Sequence, residues 1–149
     1  MVDTKLIKQL RESTGGGIAD CKRALEESNS DLKKATALLK TWGIQKSAKK
    51  EGRETGQGIV ESYIHANGRV GVLLTILCET DFVAQNVQFK NLAHEIAMQI
   101  ASMNPKNTEE LLKQEYIRDG KMKVRDLIKS VIGRIGENIR IGEFVRYEI

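Results

Sequence analysis

Apolar positions in the first third of the chain recur at helical spacing in three short runs. Leu6, Ile7 and Leu10 share one face of a helix that Thr4 is placed to cap and that stops at Thr14-Gly15-Gly16-Gly17. A second helix follows, with Ile18, Cys21, Ala24 and Leu25 inward and Asn29 as its stop. Ser30 is placed to cap a third, whose apolar set Leu32, Ala35, Leu38, Leu39 and Trp42 ends at Gly43. The pattern predicts a compact three-helix bundle over residues 1–43, marginal alone at that size. Between residues 44 and 58 no apolar period survives. Lys46, Lys49, Lys50 and Arg53 alternate there with Glu51, Glu54 and three glycines, which reads as a basic linker.

From Ile59 the period changes to two. Ile59 to Ala66 is a strand, Asn67-Gly68 is a hairpin turn, and Arg69 to Cys78 returns. A two-residue loop puts Ile59, Tyr63 and His65 on one face with Val70, Val72, Leu74 and Ile76. The opposite face carries Val60, Ile64, Leu73 and Leu77. Both faces are apolar, so helices of the chain cover one and the other predicts a sheet-to-sheet or partner contact. Phe89, Leu92, Ala93, Ile96, Ala97, Ile100 and Met103 then mark an amphipathic helix ending near Asn104-Pro105. A short helix opens at Asn107, with Glu110 placed for a capping box, and breaks at Gly120. Val124, Leu127, Ile128, Val131, Ile132 and Ile135 form the last helix, stopped around Gly136-Glu137-Asn138, and Ile139 to Ile149 is a third strand. The fold class is α+β: a three-helix bundle, then over residues 59–149 a three-stranded antiparallel sheet packed with helices.

The strand-to-helix corner at Thr80-Asp81-Phe82-Val83 stands out. Thr80 or Asp81 is suited to cap the helical turn that follows, accepting a bond from an orphaned backbone N–H. Capping leaves Phe82 without a task. Either the ring tucks back under the helix, or it projects and something outside the chain covers it.

The remaining chemistry is sparse. A net charge of +4, from 24 basic and 20 acidic residues, permits contact with nucleic acid or an acidic protein, but the signs are mixed. An alternative function, basic nucleic-acid binding through the linker with Arg134, Arg140 and Arg146, is opposed by the interleaved Glu51, Glu54, Glu137 and Glu143. Gly15-Gly16-Gly17 lacks the Gly-Lys-Ser/Thr sequel and the preceding strand of a phosphate loop, so a tight interhelical turn is the better reading. Cys21 and Cys78 form no ligand spacing and read as buried reduced thiols. His65 and His94 fall in no metal-binding pattern, and a Cys78–His65–Asp81 triad fails because Cys78 lies on the core face. No residue is assigned to catalysis, a metal or a cofactor. The chain has no run of about 18 apolar residues and no secretion or transit signal at its start, which points to the cytoplasm and away from membranes.

Three separated motifs carry a resemblance. They are Leu10-Arg11-Glu12 with Thr14-Gly15, Gly17, Asp20-Cys21-Lys22 and Ala24-Leu25; Thr80-Asp81-Phe82-Val83; and Ile135-Gly136-Glu137-Asn138-Ile139. In this order and spacing the chain resembles bacterial elongation factor Ts in a short, single-core form. The resemblance implies a ubiquitin-associated-like N-terminal bundle and a guanine nucleotide exchange activity on GDP-bound elongation factor Tu, not an enzyme activity. It implies that Arg11, Ile18, Ala19 and Lys22 touch the partner's nucleotide-binding domain. It implies that Asp81 and Phe82, flanked by Thr80 and Val83, intrude near the partner's Mg²⁺, with Ile135 and Gly136 on the same face. Longer members have two related cores and a coiled-coil insertion, so a homodimer would supply the second core here, with no direct nucleic-acid contact. Gly142-Glu143 stands where the family usually has a basic pair.

Overall fold

The fold is described from a computed structural model covering residues 1–149. The chain opens with helices α1 (Thr4–Thr14), α2 (Ile18–Glu27) and α3 (Leu32–Ser47). Strands β1 (Gln57–Ile64) and β2 (Val70–Cys78) follow, then α4 (Asp81–Ala84), α5 (Val87–Met103) and α6 (Thr108–Lys113). A small hairpin, β3 (Glu115–Tyr116) and β4 (Asp119–Lys123), precedes α7 (Val124–Ile135) and β5 (Arg140–Glu148). The class is mixed α and β, with three N-terminal helices and an antiparallel sheet of order β1-β2-β5.

Two helix starts differ from expectation by one residue. The carboxylate of Asp3, not Thr4, caps α1 by accepting the Lys5 N–H at 2.9 Å. Asp31 caps α3, accepting from Lys33 and Lys34 at 3.0 and 3.1 Å. Ser30 cannot serve, because Asn29 and Ser30 form the turn at φ 54° and 63°, whereas an N-cap is extended. A further difference lies in α2: Ile18 is its first helical residue and points outward, 59% exposed. Leu10, Cys21, Ala24, Leu25 and Ala35 alone fill the bundle core, with Trp42 half-buried against them under the Arg23 guanidinium.

Gly43 does not stop α3. The helix runs four residues further, and Gly43 is where it crosses α7. A methyl on Gly43 would come within 2.7 Å of the Ser130 carbonyl oxygen, and one on Gly133 would collide with the Gly43 carbonyl. Bare backbone on both helices permits this approach. The marginal bundle is thereby fastened to the larger core, while within the bundle Lys46 of α3 pairs with Asp20 of α2 at 2.8 Å.

The hairpin pairs as the turn requires, with Ile59 opposite Ile76, Tyr63 opposite Val72 and Gly68 at φ 74°. Val72, Leu74, Ile76 and Cys78 face Phe89, Leu92, Ile96 and Ile100 of α5 and Ile128, Val131 and Ile132 of α7. Met103, counted in the apolar stripe, is half exposed at the end of α5, which Asn104 caps. Residues 115–123 differ most: Gly120 lies in a two-stranded hairpin and not at a helix break. That hairpin hangs on buried Gln99, which donates to the Gln114 side chain and Glu115 carbonyl and accepts from Ile117 N–H. Asn107 accepts the Glu110 N–H at 2.8 Å, the first half of the expected capping box. Gly142-Glu143 forms a bulge opposite Thr75, whose hydroxyl oxygen accepts the Glu143 N–H at 2.7 Å.

A polar-clamped corner and a candidate docking face

The corner after β2 is a helix of only four residues, too short to hold itself. Its anchors are Ala84, buried, and Val83, half-buried. The rest is polar. Thr80 caps the turn, its hydroxyl oxygen accepting the Val83 N–H at 3.3 Å. The Glu137 carboxylate takes three bonds from Glu79 and Thr80: from Glu79 N–H at 3.1 Å, Thr80 N–H at 3.0 Å and the Thr80 hydroxyl at 2.7 Å. The Glu79 carboxylate in turn accepts the Asn138 N–H at 2.6 Å and pairs with Arg53 at 3.6 Å. The Asn138 side-chain amide donates to the Arg53 carbonyl at 2.9 Å, closing a ring through the linker. Hydrogen bonds to a charged acceptor contribute about 1.5–3 kcal/mol when shielded and less where water competes. Three on one carboxylate are enough to fix a single turn.

What this turn presents is Phe82. The ring is 88% exposed, with Asp81 exposed beside it, so the ring does not tuck under the helix. Ile135 is half-buried against the core, and Gly136 ends α7 in the left-handed conformation at φ 87°. The polypeptide turns there directly into Glu137, which brings the second and third sequence motifs together.

The first motif joins them through Gln88. Its side chain donates to the Gly15 carbonyl at 3.3 Å and accepts from Arg134 Nε at 2.8 Å, linking the α1–α2 turn to α5 and the end of α7. Gly15 has φ 72°, and a Cβ there would strike Gln88. A groove of about 430 Å³ follows this seam, with Arg11, Val87 and Arg134 among its lining residues. Arg11 also borders Ile18 in a neighbouring hollow. Ile18, Ala19 and Lys22 lie on the outward side of α2, all exposed, opposite buried Cys21, Ala24 and Leu25. Val87 is 70% exposed and has no role legible in the sequence, nor have Glu79, Gln88 or Glu137, although Glu137 lies inside the third motif. A Val at the start of a helix gives no such signal, and the polar pairs join residues up to 73 positions apart.

The other candidate chemistry does not assemble. Burial pushes the Cys21 and Cys78 thiols above their ordinary value near 9, which keeps them neutral and unreactive. His65 and His94 both flank Tyr63, with His65 Nδ1 3.0 Å from the phenol oxygen and His94 Nδ1 3.9 Å from Glu61. No three His, Cys, Asp or Glu side chains are grouped to hold a metal, and no helix is long and apolar enough to cross a membrane.

Comparison with known proteins places the chain in a family. The family model described as "Elongation factor TS" matches residues 79–149, from the corner to the end of β5. Elongation factor Ts of Syntrophomonas wolfei is 41% identical over 194 positions, covering 100% of this chain and 91% of that protein. The elongation factor Ts proteins of Nitratidesulfovibrio vulgaris and Thermotoga maritima are 39% and 41% identical, each over 99% of this chain and 96% of their own. The first alignment has 194 positions for 149 residues, so 45 positions face gaps on this side. With all three motifs spanned by relatives of this similarity, the chain belongs to the elongation factor Ts family.

Proposed function

We propose that the protein is the guanine nucleotide exchange factor for elongation factor Tu in translation elongation, working in the cytoplasm as a binding catalyst and not as an enzyme. The observation that carries this reading is Phe82, a bare ring on a turn whose backbone is clamped. In a GTPase, Mg²⁺ bridges the nucleotide phosphates to protein oxygens in strict octahedral geometry. A ring forced between the partner's helices near that ion displaces its ligands, and the nucleotide loses much of its hold. Burying the ring contributes about 1.5–3 kcal/mol to the distorted state. Asp81 competes for polar partners at the same point. Linkage makes the effect mutual: the factor weakens GDP, and GDP weakens the factor. Arg11, Ile18, Ala19 and Lys22 hold the partner's nucleotide-binding domain, while Ile135 and Gly136 shape the face beside the wedge.

A second copy of this chain is proposed to cover the outer face of the sheet. Val60, Ile64, Leu73 and Tyr147 are 68%, 64%, 51% and 73% exposed there, with Val145 beside them. An exposed apolar face of this kind wants a partner. The nucleic-acid reading loses support, since Lys46 and Arg53 are engaged by Asp20 and Glu79. The test of the main reading is release of a fluorescent GDP from elongation factor Tu. Acceleration by catalytic amounts supports it; no acceleration at stoichiometric amounts overturns it.

A further inference from the structure

The carboxylate of Glu137 makes no contact that the last helix or the third strand requires. It lies between them and bonds to a corner 58 residues earlier in the sequence but adjacent in space, where both its oxygens are spent on Glu79 and Thr80. Thr80 is used twice: its hydroxyl hydrogen goes to Glu137 Oε2 while its oxygen caps Val83. Phe82 is therefore two residues from a backbone held by Glu137 and one from a turn held by Thr80. We infer that Glu137 is the positioning residue for the exposed ring, setting the direction in which Phe82 enters the partner, with Glu79, Asn138 and Arg53 bracing it. This rests on the exchange reading above and deepens it.

The chemistry of the clasp is specific. A carboxylate has acceptor capacity for all three donors and no proton to misplace. Alanine at 137 leaves the Glu79 and Thr80 N–H groups to water and frees the turn, but removes nothing from the apolar core. Glutamine keeps one oxygen for both N–H groups and offers its amide to the Thr80 oxygen. Docking through Ile18 and its neighbours does not involve the clasp. Its loss acts on the step in which the ring is inserted, more than on the encounter.

The experiment compares wild type, Glu137→Ala, Glu137→Gln and Phe82→Ala in fluorescent GDP release, each titrated to saturation. Glu137→Ala is expected to cut the saturating rate about tenfold or more with the half-saturating concentration moved about twofold or less. Glu137→Gln should restore the rate to within about threefold of wild type. Amide hydrogen exchange on the free proteins gives a readout independent of the partner. Glu79, Thr80 and Val83 should exchange about tenfold faster in Glu137→Ala, with the β2 core amides unchanged. Loosened amides with a wild-type saturating rate overturn the positioning role while Phe82→Ala still reads the wedge. Unchanged amides overturn the clasp itself. A wild-type rate for Phe82→Ala overturns the wedge, and the positioning role with it.

Discussion

At Phe82 one ring stands on a four-residue turn that polar bonds hold in place, whereas across the sheet Val60, Ile64, Leu73, Val145 and Tyr147 spread over three strands held by their own ladder. The first exposes little area but fixes a direction. The second exposes area without relief. A group that must enter another molecule needs orientation set beforehand, because ordering it on arrival costs conformational entropy. A face that only needs to be covered gains in proportion to the area removed from water and tolerates sliding. The same chemical feature, uncovered hydrophobic surface, thus has two constructions and is expected to fail in two ways.

Phe82→Ala should separate them most sharply. It is expected to lower accelerated GDP release about 10- to 100-fold, the burial energy of one aromatic ring converted to a rate. Its melting temperature should stay near wild type, since the ring contacts nothing inside the chain. A cooperative loss of melting temperature would mean the ring is structural. Leu73→Asp tests the other surface. Self-association followed by sedimentation should weaken about tenfold or more, because an unpaired carboxylate resists burial. A wild-type chain that stays monomeric at high concentration removes the dimer from the account. Asp81→Ala is expected to cost about threefold in exchange rate, as loss of one exposed charge does; a loss equal to that of Phe82→Ala would make the carboxylate the principal actor. The smallest effect concerns the thiols. Burial raises both in the folded state, so their neutral form is favoured by folding. Stability from this source is complete below pH 9, the unfolded value, and is lost as pH rises beyond it. Thermal melts at pH 7 and pH 10 check the sign, and alkylation of Cys21 and Cys78 should wait for unfolding.

The hairpin register was legible because Asn67-Gly68 demands a primed turn and the alternating residues have one arrangement that buries Val72, Leu74 and Ile76 together. The corner was legible for a related reason: a strand period ends and a helix period begins, and only a capping residue fits between. Gly43 misled because one residue type signals both a helix end and a close crossing, and only the opposing Gly133 distinguishes them. Ile18 misled because helical periodicity weakens at a first turn, where a side chain can lie outside the stripe. The hairpin at 115–123 has almost no apolar alternation, and it exists because Gln99, on another helix, satisfies its backbone. The Glu137 clasp could not be read at all. Nothing local marks a half-buried glutamate as the acceptor for a turn 57 residues earlier in the sequence.

The crossing of Gly43 and Gly133 has a consequence for how the two halves of the proposed docking face are spaced. Ile18 belongs to the unit on one side of it and Phe82 to the unit on the other. Their separation is therefore gauged by two missing methyl groups, like a shim left out. Adding a single carbon at either position would force the two helices apart and so change the spacing of Ile18 and Phe82 while altering neither residue.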